Sequence, residues 1–424
     1  MAVPTNDAKK YEPRKESDYL DLNRSVAANH FRTEKTKDPI VHAGFRLSDF
    51  FTKRVFRWLY YYIQSRFGPN HRYKVYDRAD NGVYSLPEGT EPVVLGVIGD
   101  WGTYTPESIA IAEKMGGHSP HHTIHIGDTY YVGAPHEIAN NFTDAGAPWV
   151  RGSLGSWALL GNHEMYARGV AYFDNLLPTL GMKKEDGRFD GQKAAYFCLQ
   201  NNYWKILGLD TGYQSIGKIP LVEMLPWFAP KCAFPKKMMR WLENSVKVDN
   251  PADKRSLLVL SHHQYISAFN ETEYLTPAGQ LGSCIGTKRP IIWLWGHEHK
   301  FSVYEKAQVG TGPAAYGRCI GHGGMPVELK DFKRKKKNNG FKKLVMVDDR
   351  PMDGTEGYPL GYNGYVIIRI SGPWLRIEYH DKKDLLFAEE WTSDGKGGMT
   401  GKIIQPPHPR LKTEPGKTWE DAVK

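Results

Sequence analysis

The feature that most constrains this chain is a repeated ending: five apolar runs each stop at a residue able to bind a metal ion. Thr123-Ile124-His125-Ile126 stops at Gly127-Asp128, and Thr129-Tyr130-Tyr131-Val132-Gly133 follows. Val93–Ile98 stops at Gly99-Asp100-Trp101-Gly102, and Trp157–Leu160 at Gly161-Asn162-His163-Glu164. Leu257–Leu260 stops at Ser261-His262-His263, and Ile291–Trp295 at Gly296-His297-Glu298-His299. An apolar run that breaks at a small residue and a polar one reads as a buried strand feeding a loop. In open α/β sheets ligands collect at the carboxyl ends of strands, so these residues stand where chemistry is expected. One Gly-Asp carries little weight; five such endings in order constrain one another.

Carboxylate, amide and imidazole donors suit Fe, Zn or Mn. The set is too large for one ion and about right for two. A carboxylate such as Asp128 can bridge two ions held ~3.5–4 Å apart, the arrangement used for in-line phosphoryl displacement.

GDWG, GDTYYVG, GNHE, SHH and GHEH, in this order, resemble the five blocks of the calcineurin-like metallophosphoesterases over roughly residues 93–325. Most of that superfamily has Asp-x-His in the first block, where this chain has Asp100-Trp101-Gly102. Tyr131, three residues after Asp128, stands where purple acid phosphatases place a tyrosine ligand. The resemblance implies a sandwich of two mixed β-sheets flanked by helices. It also implies two metal ions, Fe(III) with Fe(II), Zn(II) or Mn(II). Asp100, Tyr131 and His299 would hold the first ion, Asn162, His262 and His297 the second, and Asp128 would bridge them. Four protein ligands per ion leave room for water, whose pKa such ions lower enough to give hydroxide near neutral pH. His163 would stabilise the transition state or protonate the leaving alkoxide. Either His262 or His263 can be the ligand after the fourth strand. His262 is preferred because Gln264 falls where the family often has Pro, two residues past the ligand. The chain departs from the purple phosphatases at Glu271, where they carry a second catalytic histidine.

The remaining chain is less specific. With 424 residues and 12 Trp, 24 Tyr and 17 Phe, it can bury a sizeable core, and its net charge of +9 favours anionic substrates. Cys198, Cys232, Cys284 and Cys319 form no C-x-x-C pair and read as ordinary buried thiols. No run approaches the ~20 apolar residues of a membrane span. The polar start from Met1 to Glu16 shows no secretory signal, so a cytoplasmic location is expected. Four regions are expected: a polar arm over 1–43, a helix and hairpin extension over 44–92, the metallophosphoesterase domain over 93–385, and a tail over 386–424.

Between Phe45 and Phe67, Leu47, Phe51, Val55, Trp58, Leu59 and Tyr62 recur at helical spacing among basic residues. Such a helix can lie on an anionic membrane; docking of its aromatic face on the catalytic domain is the preferred reading. Tyr73 to Leu86 alternates about Asp80-Asn81-Gly82, a hairpin signal. Thr105-Pro106-Glu107 is a helix start, and Asp210 ends another apolar strand. His118, His121, His122 and His125 lie before or within a strand and read as packing residues. His136, in the loop after Tyr131, is near enough in sequence to reach substrate but is not assigned a role. Lys333–Lys337 reads as a solvated loop rather than a grip on nucleic acid. Gly364–Ile370 and Trp374–Tyr379 flank Ser371-Gly372-Pro373, a hairpin expected to close a sheet edge.

The expected activity is hydrolysis of phosphomonoesters, with a phosphorylated small molecule as partner. A phosphodiesterase or nuclease is the first alternative, and a metal-retaining binding or scaffold protein the second.

Overall fold

A computed structural model describes residues 53–77, 81–217, 232–352 and 359–424. The expected arm over 1–43 lies outside them. Apolar strands with helices between them must bury both faces, and the observed architecture does so with two eight-stranded mixed sheets flanked by helices. The second sheet contains β1 (Val93–Ile98), β2 (His122–His125) and β3 (Gly155–Ala158), paired in parallel. The first contains β4 (Trp204–Leu209), β5 (Ser256–Ser261) and β6 (Ile291–Trp295), also in parallel. All six strands are buried throughout, which explains why most of their residues are apolar; Lys205 in β4 and His122 and His125 in β2 are buried exceptions.

Leu95, Val97, Ile124, Trp157, Ile206, Leu258, Ile292 and Leu294 meet between the sheets. Fully burying each such side chain contributes about 1.5–3 kcal/mol. Alternate residues, including Ile98, Leu207 and Val259, join a second cluster with the helix residues Ile111, Met115, Trp241 and Leu281. Parallel pairing sends the strands of each sheet out at the same end, so the five motif endings converge.

Helix α1 (Lys53–Arg66) realises the docked reading for the later part of the amphipathic stretch, while Leu47 and Phe51 lie outside the described residues. Trp58 and Tyr62 are buried with Val132, Ala134 and Ala167, while Tyr60, Ile63 and Phe67 stay exposed. Helix α2 (Pro106–Gly116) starts where expected: the Thr105 hydroxyl accepts from the Ser108 N–H, and the Ser108 hydroxyl accepts from Thr105 N–H. Among the described residues, no helix is long and apolar enough to cross a membrane.

Three expectations change. Val83–Ser85 forms no hairpin with the residues described before it; it pairs in parallel with Phe197–Gln200, a distant partner no local pattern reveals. The Gly364–Ser371 and Trp374–Asp381 hairpin does form, but it lies inside its sheet, between β1 and Leu385–Ser393. The expected tail from 386 carries Leu385–Ser393 and Met399–Gln405, two further strands of that sheet. Glu389 and Glu390 disguise the first as a solvated segment. Glu389 is in fact fully buried, its carboxylate accepting from Arg318 Nε (2.9 Å) and Nη2 (2.6 Å). Arg318 also donates to the Ala422 carbonyl, which draws the chain end onto the first sheet.

Candidate metal centre

At the converging strand ends the backbone turns sharply. Asp100 (φ 56°), Asp128 (φ 71°) and His297 (φ 63°) all adopt the left-handed region, costly for residues with a Cβ by on the order of 1–3 kcal/mol each. The flanking glycines serve a different need, close approach. A Cβ on Gly161 would lie 2.1 Å from Asp128 Oδ1, and one on Gly296 2.4 Å from Asp100 Oδ2. The Gly-Asp, Gly-Asn and Gly-His pairs therefore allow carboxylates from one strand end to sit against the backbone of the next.

Asp128 lies at the centre. Its Oδ1 is 3.2 Å from His262 Nε2 and accepts from the His163 N–H at 3.0 Å. Its Oδ2 accepts from the Tyr130 hydroxyl at 3.1 Å. On one side, that hydroxyl lies 2.9 Å from Asp100 Oδ1 and 3.0 Å from His299 Nε2. On the other, Asn162 Oδ1 lies 3.2 Å from His262 Nε2 and 3.0 Å from His297 Nδ1. The two sides are joined by the His297 N–H, which donates to Asp100 Oδ2 at 2.7 Å.

The donor set fits metal binding. Asp100 and Asp128 are 0% and 1% exposed, yet among the described residues their ion-pair partners are histidines rather than Lys or Arg. Buried carboxylates need compensating charge. Burial works against a charge on His262, but Asp128, Asp100 and Glu164 outweigh it and push its pKa up to about 9. The site calls for positive charge, which a proton or a metal ion can supply. The His262 Nδ1–H donates to the Ile126 carbonyl at 3.0 Å, so its other nitrogen faces Asp128 and Asn162, the orientation expected of a metal-binding imidazole. Asp100, Asp128 and His262 form one group of converging ligand atoms, and His262, His263 and His297 another. His263 has its Nδ1 3.0 Å from Thr211 Oγ1 and packs 4.5 Å from the His297 ring.

The carboxylate of Glu164 stands behind the centre, accepting from the Gly161 N–H (2.9 Å) and the Asp128 N–H (3.2 Å). Burial and the neighbouring Asp128 push its pKa up to about 7. The His163 Nδ1–H donates to the Tyr131 carbonyl, and its Nε2 lies 3.8 Å from Asp128 Oδ2. The ring sits between Tyr130 (4.3 Å) and Tyr166 (5.0 Å).

Seven of the eight site residues expected from the sequence meet here: Asp100, Asp128, Asn162, His163, His262, His297 and His299. Tyr131 does not. Its ring packs with the α1 cluster of Trp58 and Tyr62, and Tyr130 brings its hydroxyl among Asp100, Asp128 and His299 instead. The reason is the course of the loop: the Glu137 carboxylate accepts from the N–H groups of Tyr131, Val132 and Ala134, which fixes how the two adjacent tyrosines face. The two neighbouring tyrosines in GDTYYVG were the available signal, but spacing alone could not choose between them. Glu164 was also missed, though it belongs to the same GNHE block. His136 lies against Tyr61, the rings tilted at 45° and 4.6 Å apart, and Glu271 meets Asn338 through its backbone carbonyl.

Comparison with known proteins agrees with this geometry at the level of family. Residues 93–301 match the model of the calcineurin-like phosphoesterases. A search of curated proteins gave no match. Solved structures to which the chain is similar include the purple acid phosphatase PPD1 from yellow lupin seeds, 12% identical with a TM-score of 0.41, covering 70% of this chain and 53% of that one. They include GAP50, the anchor in the inner membrane complex of Plasmodium, 12% identical with a TM-score of 0.44, covering 70% and 88%. PhoD is 10% identical with a TM-score of 0.43, covering 77% and 74%. The chain thus spans about half the length of the lupin phosphatase. What the comparisons support for this chain is therefore a match of its segment 93–301 to the calcineurin-like phosphoesterase family model.

Proposed function

We propose that the protein is a dinuclear metal-dependent phosphoesterase acting on phosphate monoesters. The observation that carries this reading is the position of Asp128, whose two oxygens face two separate ligand groups. Asp100, Tyr130 and His299 would hold one ion, and Asn162, His262 and His297 the other, with Asp128 between them. When bound, such ions supply Lewis acidity toward the phosphate and a water of lowered pKa as nucleophile.

The residues of the chain do the rest. The Ile126 carbonyl holds His262 with one nitrogen turned inward. Glu164 fixes the backbone N–H groups of Gly161 and Asp128, and so the separation of two motif loops. His163 is anchored through Nδ1, which leaves Nε2 toward the centre. In its doubly protonated form it can hydrogen-bond a phosphate oxygen or give its proton to the leaving alkoxide. Its side chain is 13% exposed, and His299 is 32% exposed, so substrate can approach from that side.

The basic loop favours no second reading by itself. Lys335 N–H donates to the Ala268 carbonyl and Asn338 Nδ2 to the Phe269 carbonyl, so the loop is latched to the segment following His263 while Lys333, Lys336 and Lys337 stay exposed. The direct test is metal content and a substrate panel on the wild type and Asp128→Asn. Two ions per wild-type chain, monoesters turned over faster than diesters, and loss of both ions in Asp128→Asn are expected. A variant that keeps two ions would remove the bridging role. Preference for diesters would replace the phosphomonoesterase by a phosphodiesterase.

A further inference from the structure

We propose that Tyr166 is a positioning residue for Asn162, and that helix α1, outside the segment that matches the family, holds Tyr166 in place. This rests on the dinuclear reading above. Asn162 Nδ2 donates to the Tyr166 hydroxyl at 3.3 Å. With its amide nitrogen spent there, Asn162 turns Oδ1 toward the imidazoles of His262 and His297. Asn162 and Tyr166 are the first and last residues of the short helix α3 (Asn162–Tyr166), four apart and so on one face.

The Tyr166 ring is clamped from outside that helix. Trp58 meets it edge-on at 5.9 Å and 88°, and Tyr62 at 5.7 Å and 64°, while Trp58 and Tyr62 stack on each other at 4.8 Å. Aromatic contacts of this kind contribute about 0.5–1.5 kcal/mol each beyond burial. A second tie runs beside the clamp: Arg168 Nε donates to the Ser65 carbonyl at 2.7 Å, fastening the end of α1 to the residues just after Tyr166. The Tyr166 ring also meets His163, at 5.0 Å between centroids and 71°. One tyrosine therefore links α1 to a ligand of the second ion and borders the candidate acid. A neutral amide is a weaker metal donor than a carboxylate or imidazole, so its affinity depends more on being held in place. Loss of such supporting contacts typically lowers metal affinity about 10–100-fold.

The test uses the full chain and Mn2+ as probe, by equilibrium dialysis, with thermal melting of the metal-free protein alongside. Wild type should bind two ions; a wild type that binds fewer sinks the dinuclear reading itself, before any variant is compared. Tyr166→Phe keeps the ring and removes the hydroxyl, and should weaken one Mn2+ about 10–100-fold while the other ion and the melting temperature hold. Trp58→Ala keeps the hydroxyl and loosens the clamp, and should weaken the same ion by a smaller factor. If wild type binds two ions and Tyr166→Phe binds both with wild-type affinity, the positioning role is wrong. Equal weakening of both ions would likewise overturn it, since a role in general stability does not single out one ion.

Discussion

Two groupings of histidine and carboxylate side chains occur among the described residues, and only one has the character of a metal centre. The first gathers at the carboxyl ends of the parallel strands. The second, His118, Glu378 and His380, lies on the outer face of the second sheet, with its ligand atoms just as close together. The difference is a guanidinium. Arg369 Nε donates to Glu378 Oε1 at 3.1 Å, and Arg369 Nη2 donates to His118 Nδ1 at 3.4 Å. Arg can only donate, so it occupies the His118 lone pair, and the other His118 nitrogen meets the Tyr365 hydroxyl at 3.0 Å. Burial, with His380 and Arg369 alongside, lowers the His118 pKa, so this imidazole stays neutral within a hydrogen-bonded network. Around Asp128, by contrast, the neighbours are imidazoles, an amide and a phenol, and positive charge is what the carboxylates lack. Proximity of ligand types is common; lone pairs left free of fixed cations are what distinguish a site.

The comparison can be broken most sharply at His163. If the carboxyl-end cluster performs chemistry, His163→Ala should keep both ions and lower kcat by ~10²–10⁴-fold, the range for loss of a general acid. Unchanged kcat with intact metal content would take His163 out of the mechanism. A second, smaller effect separates the two tyrosines. Aerobic loading with iron should give a visible phenolate charge-transfer band, because Fe(III) is acidic enough to displace a phenol proton. Tyr130→Phe should abolish the band, and Tyr131→Phe should retain it. The reverse pattern would restore Tyr131, the ligand implied by the resemblance, and a colourless wild type holding two irons would remove the phenolate altogether. The smallest effect is expected at the outer cluster: His380→Ala should leave the metal count of the chain as it was. Loss of one ion there would mean that Arg369 does not exclude a cation.

Much of this was legible in the residues. Buried parallel strands read as largely apolar runs, and the break at each run's end marks where side chains become available for chemistry. The capped start of α2 was equally plain, because Thr105, Pro106 and Glu107 act within one turn. The aromatic face of α1 announced a docked helix, although its partner did not appear in the pattern. The strand Leu385–Ser393 was hidden for an electrostatic reason, since Glu389 reads as a surface residue until Arg318, 71 positions away, comes to lie against it.

The sequence by itself determined the resemblance over 93–301, the sandwich of helices and sheets, and the order in which Asp100, Asp128, Asn162, His262, His297 and His299 come to the strand ends. It could do so because each of those signals is local: an apolar run, a glycine that permits close approach, a polar residue immediately after. The tertiary structure alone decided which of two adjacent tyrosines faces Asp128, and which of the histidine clusters is free of a guanidinium. It also decided that a helix more than a hundred residues before Asn162 in places, and outside the family segment, closes on Tyr166. Those choices depend on lone pairs and ring faces meeting across the fold, and contacts between distant residues leave no period in a chain.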